Sequence, residues 1–279
     1  CTGNRVSGGR IAKEALVSVT VSTFLSMKQK GEKISMITAY DYTTARLVDE
    51  AGIGSILVGD SLGNVMLGLG DTVSVTMEDM IHHGAAVARG TKRALVVIDM
   101  PFMSYQASVY DAVVNAGRLM KEGRANAVKL EGGVEVADRI RAIVAAQIPV
   151  CAHIGLTPQG INALGGFKVQ GKTADSARKL LEDAHAVEEA GAFAVVLEAI
   201  PAELAARVGA GAGCDGQVLV NQDMLGTFTD FTPKFVRRFA EVGEVMRGAY
   251  AEYDRCVKDG TFPAPEHCYA APAGVLENL

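Results

Sequence analysis

The sequence predicts an α/β protein built as a (β/α)8 TIM barrel. Three observations carry that expectation. Seven short, β-branched apolar runs recur along the chain. Each is followed by turn residues and then by a stretch with helical periodicity. The runs are apolar on both faces, as strands buried in a parallel sheet are. Regular strand–helix alternation gives a parallel sheet with right-handed crossovers. A doubly wound open sheet is the competing architecture. No glycine fingerprint follows the first run, so dinucleotide binding has little support. The 279 residues suit one barrel domain. It is expected over residues 31–279, behind an N-terminal extension at 1–30 that carries a helix.

The strands are placed at Ser35–Thr38, Ser55–Val58, Leu95–Ile98, Ala127–Leu130, Val150–Ile154, Ala194–Leu197 and Val218–Val220. The first helix between them covers Thr43–Ala51, where Gly52 supplies a left-handed stop. Met77–Arg89 starts from Thr76 with Asp79 three residues on, a capping-box pattern. Ser108 and Asp111 repeat it before Ala112–Glu122. Val134–Ala146 and Ala174–Ala190 follow, the latter closed by Gly191. Thr232–Lys258 reads as a long C-terminal helix with Pro233 in its first turn. One place breaks the rhythm. After Ile200 there is a short helix and a glycine-rich turn, where a barrel needs another strand. The Val208–Gly209 junction is therefore expected to interrupt the chain.

Composition narrows the function. The net charge of −5 excludes a protein built mainly to hold nucleic acid or a polybasic membrane anchor. The longest apolar runs, such as Ala94–Ile98, fall far short of the ~20 residues that span a bilayer. The five cysteines include no CxxC pair, so reduced thiols in a cytoplasmic protein are expected. Three cations and no acid between Cys1 and Lys13 leave room for a remnant targeting segment.

In a barrel the active site lies at the C-terminal ends of the strands. Here those ends carry Asp60 and Ser61, Asp99, Lys129 and Glu131, His153, and Glu198. Singly, each has an ordinary reading: a turn aspartate, a solvated loop acid, a core histidine. Together, four carboxylates, a lysine and an imidazole converge on one mouth. Burying several carboxylates is costly without a cation, and oxygen ligands with open positions suit Mg²⁺. The glycine-rich loop after Ser61 could close over such a site.

At these residues the sequence resembles the ketopantoate hydroxymethyltransferase (3-methyl-2-oxobutanoate hydroxymethyltransferase) family. The strings that carry the resemblance are TAYDY at Thr38–Tyr42, VGDSLG at Val58–Gly63, DMPF at Asp99–Phe102 and VKLEGG at Val128–Gly133. They continue with HIGLTPQ at His153–Gln159, LGGFKVQG at Leu164–Gly171, GAFAVVLEAIPAEL at Gly191–Leu204, DGQVLV at Asp215–Val220 and FPAPEHCY at Phe262–Tyr269. The resemblance implies a (β/α)8 barrel assembled as a homo-oligomer, commonly a decamer. It implies transfer of a hydroxymethyl group from 5,10-methylenetetrahydrofolate to 3-methyl-2-oxobutanoate, with Mg²⁺, on the route to pantothenate. By motif, Asp60, Asp99 and Glu131 would hold the metal. Asp60, Ser61, Asp99, Lys129 and His153 would face the keto acid, and Glu198 would be the general base. The chemistry is coherent: an α-keto acid can chelate Mg²⁺, which stabilises the enolate formed when a base removes the C3 proton. One departure is that the family's seventh strand has no counterpart before Gly209.

Two other readings compete. One is a different Mg²⁺-dependent keto-acid enzyme, a carbon–carbon lyase of the isocitrate lyase and phosphoenolpyruvate mutase kind. A catalytic cysteine in the loop after Ser61 would favour it, and that loop has none. The other is a non-catalytic barrel kept as an assembly subunit. Loss of a metal or base carboxylate would favour that, and none is lost.

Overall fold

The computed structural model describes residues 18–208 and 214–272. They form two compact units that divide between Val220 and Asn221. In the first, seven parallel strands make one sheet: β1 (Ile34–Thr38), β2 (Ser55–Val58), β3 (Leu95–Asp99), β4 (Ala127–Glu131), β5 (Val150–Gly155), β6 (Ala194–Glu198) and β7 (Gly216–Leu219). Each answers one of the seven apolar runs. Gly209 lies outside the described residues, and so does the expected interruption of the chain there.

The strand order is β6-β5-β4-β3-β2-β1-β7. Successive strands add to one side, and the last joins the free edge of the first. A doubly wound sheet would reverse direction at a switch point; this one does not. A single helix shows that the sheet is rolled. Helix α1 (Val21–Lys30) has ten residues and is ~15 Å long. Around it, Val19 N donates to Arg93 O at the start of β3, and Lys28 Nζ lies 3.1 Å from Asp215 Oδ2 at the start of β7. Phe24 packs edge-on against Phe193, which leads into β6, with ring centroids 5.8 Å apart. In a flat sheet β6 and β7 would stand ~29 Å apart. One short helix reaches both only because the sheet curls around a common interior.

The remaining elements follow the expected crossovers: α2 (Tyr42–Glu50), α3 (Met77–Gly90), α4 (Val109–Lys121), α5 (Ala137–Ala145), α6 (Ala174–Glu189) and α7 (Ala202–Arg207). The Thr76–Asp79 capping box forms in both directions, and Ser108 Oγ accepts from Asp111 N. Gly52 and Gly191 take positive φ just past the ends of α2 and α6, the conformation their cap role requires. Parity divides the strands. Ile56, Val58, Val96, Ile98, Val128 and Leu130 face the surrounding helices in the main core. Leu57, Leu95, Val97, Ala127 and Cys151 point inward and pack with Phe24 of α1. Strands β2, β3 and β4 are buried throughout, whereas β6, on one edge, is half-buried at every residue.

The second unit begins with a helical turn at Asn221–Met224 and contains α8 (Val242–Lys258). The C-terminal helix therefore starts ten residues later than the sequence pattern predicts. Residues 232–241 are irregular because the amides near their end bond elsewhere: Phe239 N donates to Met224 O and Val242 N to Leu225 O. The first replaces the bond to Phe235 O that a helix through residue 239 would need.

Candidate active site

The inward parity that buries Leu95 and Val97 continues along β3 to Asp99. It likewise carries Ala127 to Lys129 and Glu131 on β4, Cys151 to His153 on β5, and Ala194 and Val196 to Glu198 on β6. The parallel register then fixes neighbours. Asp99 stands opposite Lys129, Glu131 opposite His153, and Glu198 opposite Gly155. Strand pairing alone therefore brings four of the expected residues into two acid–base pairs.

The side chains meet accordingly. Lys129 Nζ lies 2.9 Å from Asp99 Oδ1. His153 Nδ1 lies 3.3 Å from Glu131 Oε1, and its Nε2 is 3.2 Å from Glu198 Oε2. Lys129 and His153 stand 3.4 Å apart. Asp60, just past the end of β2, donates its backbone N–H to Asp99 Oδ2 at 3.1 Å. Asp60, Asp99, Lys129, Glu131 and His153 are all buried, whereas the Glu198 side chain keeps 29% of its surface exposed. Glu198 is thus the carboxylate of the group most open to an entering molecule. Ser61 is beside this cluster, with its Oγ 2.9 Å from the Tyr40 hydroxyl. Gly59 allows the close packing, since a Cβ there would fall 2.9 Å from Ser61 Oγ.

Burial sets the electrostatics. It pushes Asp60 up to about 8, with the charges of Asp99 and Glu131 adding to the effect. Asp99 is raised by the same desolvation, against the pull of Lys129. Burial opposes charge on Lys129 too, but Asp99, Glu131 and Asp60 outweigh it and hold the ammonium charged. For His153, burial and Lys129 both favour the neutral ring. Glu131 and Glu198 overcome them and bring it to about 9, so the imidazole is protonated at neutral pH. Desolvation would raise Glu131, but His153, Lys129 and the Gln159 amide together hold it below the usual carboxylate range.

Sequence reasoning missed three members. Gln159, Tyr105 and Tyr40 are buried and bonded into the cluster. Gln159 Nε2 donates to Asp60 Oδ2 at 2.7 Å, and its backbone N donates to Glu131 Oε2 at 3.0 Å. Tyr105 OH lies 2.7 Å from Gln159 Oε1 and accepts from Glu131 N at 3.1 Å. The only sequence signal for Gln159 was its place in the HIGLTPQ string. The loop after Ser61 is internally tied: Asn64 Nδ2 and Leu69 N bond to Leu69 O and Gly63 O respectively, and Leu62, Thr72 and Val75 are buried.

The donor set suits a hard cation. Three buried carboxylates, Asp60, Asp99 and Glu131, face only two cationic side chains, Lys129 and protonated His153. Asp60 is left holding a proton at neutral pH, the sign of negative charge in excess of its compensation. A divalent ion with oxygen ligands would supply the missing charge. Among the described residues, no three His, Cys, Asp or Glu side chains are already gathered tightly enough to ligate one ion. No helix of the described residues is long and apolar enough to cross a membrane.

Comparison with known proteins agrees with the geometry. Residues 18–265 match the family described as ketopantoate hydroxymethyltransferase. A 3-methyl-2-oxobutanoate hydroxymethyltransferase of Clostridium novyi (strain NT) is 63% identical over 271 residues, covering 93% of this chain and 98% of the relative. One from Enterococcus faecalis (strain ATCC 700802 / V583) is 62% identical with the same coverage. Those 271 aligned positions are more than 93% of 279 residues can fill, so the relatives carry some positions with no counterpart here. Among solved structures, a 2,3-dimethylmalate lyase of the PEP mutase/isocitrate lyase superfamily aligns with a TM-score of 0.58 at 16% identity, over 91% of this chain and 89% of that one. A phosphonopyruvate hydrolase solved with oxalate and Mg²⁺ gives 0.56 at 17%, over 89% and 93%. At such low identity these structures speak to the fold. The sequence match over nearly the whole length speaks to the family: the chain belongs to the ketopantoate hydroxymethyltransferases.

Proposed function

We propose that this enzyme transfers a hydroxymethyl group from 5,10-methylenetetrahydrofolate to 3-methyl-2-oxobutanoate, giving 2-dehydropantoate for pantothenate synthesis. The observation that carries the reading is the His153 bridge. It joins buried Glu131 to Glu198, the more exposed acid at the strand ends. In this reading Asp60, Asp99 and Glu131 hold Mg²⁺, which, when bound, acts as a Lewis acid toward the oxygens of the keto acid. Lys129 adds fixed positive charge where negative charge develops on the substrate. Ser61, with its hydroxyl oriented by Tyr40, and His153 help to hold the keto acid. Glu198 takes the C3 proton. His153 orients Glu198 and keeps Glu131 ionised. Water hydrolyses the methylene carbon–nitrogen bonds of the folate, releasing tetrahydrofolate and a formaldehyde-level carbon, and the resulting carbanion equivalent adds to that carbon to give the hydroxymethyl group.

The same reading makes the first unit a (β/α)8 barrel whose remaining strand position falls between β6 and β7, the two edges of the observed order. We infer a cytoplasmic homo-oligomer, a decamer by family. Supporting it, Cys151, Cys256 and Cys268 are free thiols, and the second unit exposes Phe231, Phe235 and Phe239. The test is formation of 2-dehydropantoate from both substrates with and without Mg²⁺. Product only in the presence of the metal supports the reading. No product from the two substrates even with Mg²⁺ present rejects it.

A further inference from the structure

Gln159 lies on a short 3₁₀ turn after β5 (Pro158–Gly160) and is 4% exposed. Its amide orientation is fixed without reference to the acids. Met100 O can only accept a hydrogen bond, and it lies 2.9 Å from the nitrogen, Nε2. The oxygen, Oε1, is consequently on the other side, where it accepts from Tyr105 OH at 2.7 Å and from Gln106 Nε2 at 3.2 Å. The second Nε2 proton goes to Asp60 Oδ2. Every hydrogen-bonding position of this amide is in use, and the backbone N–H is spent on Glu131 Oε2.

The consequence concerns the acids. Gln159 occupies one oxygen of Asp60 and one of Glu131, and the Asp60 amide occupies one oxygen of Asp99. Each of the three carboxylates therefore has one oxygen tied to uncharged N–H scaffolding. The other oxygens of Asp99 and Glu131 face the cationic side of the cluster, Asp99 Oδ1 toward Lys129 and Glu131 Oε1 toward His153. A carboxylate held this way offers one ligating oxygen. Mg²⁺ takes six ligands in near-ideal octahedral geometry and readily keeps waters. Ca²⁺ takes six to eight and favours bidentate carboxylates.

We infer that Gln159 is a metal-selectivity residue: by tying down Asp60 Oδ2, it confines Asp60 to one-oxygen ligation and biases the site toward Mg²⁺ over Ca²⁺. This rests on the reading that Asp60, Asp99 and Glu131 hold the metal. Gln159 touches the ligands and not the reacting atoms, so it acts as a positioning residue.

The experiment is calorimetric titration of the full-length enzyme with MgCl₂ and, separately, with CaCl₂, before and after Gln159→Leu. Wild type is expected to favour Mg²⁺. Gln159→Leu frees Asp60 Oδ2 and keeps the backbone bond to Glu131. It should shift the Mg²⁺/Ca²⁺ affinity ratio toward Ca²⁺ by about tenfold, the lower end of the ~10–100-fold by which losing an outer hydrogen bond to a ligand changes metal affinity. A ratio unchanged within about twofold overturns the inference, since a purely structural residue would lower both affinities together. If Gln159→Leu does not fold, Tyr105→Phe decides the matter. It keeps the ring and removes the proton that pins Gln159 Oε1, so a smaller shift in the same sense is expected and an unchanged ratio again overturns the claim. A wild-type enzyme that binds neither cation rejects the metal reading itself, a result distinct from an unaltered ratio.

Discussion

Glu198 Oε2 sits 3.2 Å from His153 Nε2, and the other nitrogen of the same ring faces Glu131. The imidazolium thus orients Glu198 from behind, while the partial exposure of Glu198 leaves it open to substrate. If Glu198 is the base, Glu198→Gln should slow exchange of the C3 proton of 3-methyl-2-oxobutanoate with deuterated water by ~10²–10⁴. Keto-acid binding should change little, because the amide preserves the shape. Exchange followed by NMR needs no folate, so it isolates the first step. Exchange at the wild-type rate would move the base elsewhere.

The backbone that carries Glu198 is also under constraint. Gly155 pairs with it in register and has φ +96°, and a Cβ there would lie 2.3 Å from Glu198 O. The carbonyl is held by Leu156 N at 2.9 Å, and the next residue, Ala199, takes φ +47°. A non-glycine residue in that region costs ~1 kcal/mol or more. Gly155→Ala should therefore destabilise by at least ~1–3 kcal/mol and displace Glu198. Ala199→Gly should raise the melting temperature by relieving strain. A Gly155→Ala enzyme with unaltered stability and C3 exchange would remove both arguments.

Much of this site could be read from the chain because strand parity is simple. Once Val97 is inward, Asp99 is inward, and the same step carries Ala127 to Lys129 and Glu131 and Cys151 to His153. Gln159 and Tyr105 could not be read this way. They lie on turns, where no period assigns a direction, and Gln159 meets Asp60 across 99 positions of sequence. The C-terminal helix misled for a related reason. Pro233 suits a first helical turn in an amphipathic run, yet Phe235 and Phe239 beside it are exposed, and Phe239 N bonds to Met224 O. Periodicity records which face is apolar and not whether anything covers it.

Cys151 gives a probe of the interior of the rolled sheet. It packs with Leu57, Leu95, Val97 and Phe24, and burial pushes its thiol up to about 12 from an ordinary 9.0. Below pH 9 the thiol is neutral in folded and unfolded chains alike. As pH rises from 9 toward 12 the unfolded thiol ionises first, so this group's contribution to stability is lost across that window. At pH 8, iodoacetamide should modify exposed Cys268 quickly and leave Cys151 untouched until denaturant is added. Peptide mass spectrometry reads both sites. Modification of Cys151 at the rate of Cys268 in native buffer would mean that the interior is open.

Asp49 separates stability from catalysis. It is the penultimate residue of α2, 8% exposed, and its carboxylate caps the approach to β3. Oδ1 accepts from Arg93 N at 3.0 Å and Ala94 N at 2.7 Å, and Oδ2 from Lys92 N at 3.1 Å. No turn or strand provides these amides with another acceptor. An unsatisfied buried donor costs ~1–3 kcal/mol, and bonds to a charged acceptor lie at the upper end. Asp49→Ala strands up to three donors, although water can reach those of Lys92 and Arg93, which are less buried than Ala94. A loss of ~2–4 kcal/mol in denaturant unfolding is expected. Asp49 lies before β3, at the opposite end of that strand from Asp99, so C3-proton exchange in the folded fraction should stay near the wild-type rate. A variant as stable as wild type would show that the three amides find other partners. One that is stable but slow in exchange would tie this end of the sheet to the chemistry at the other.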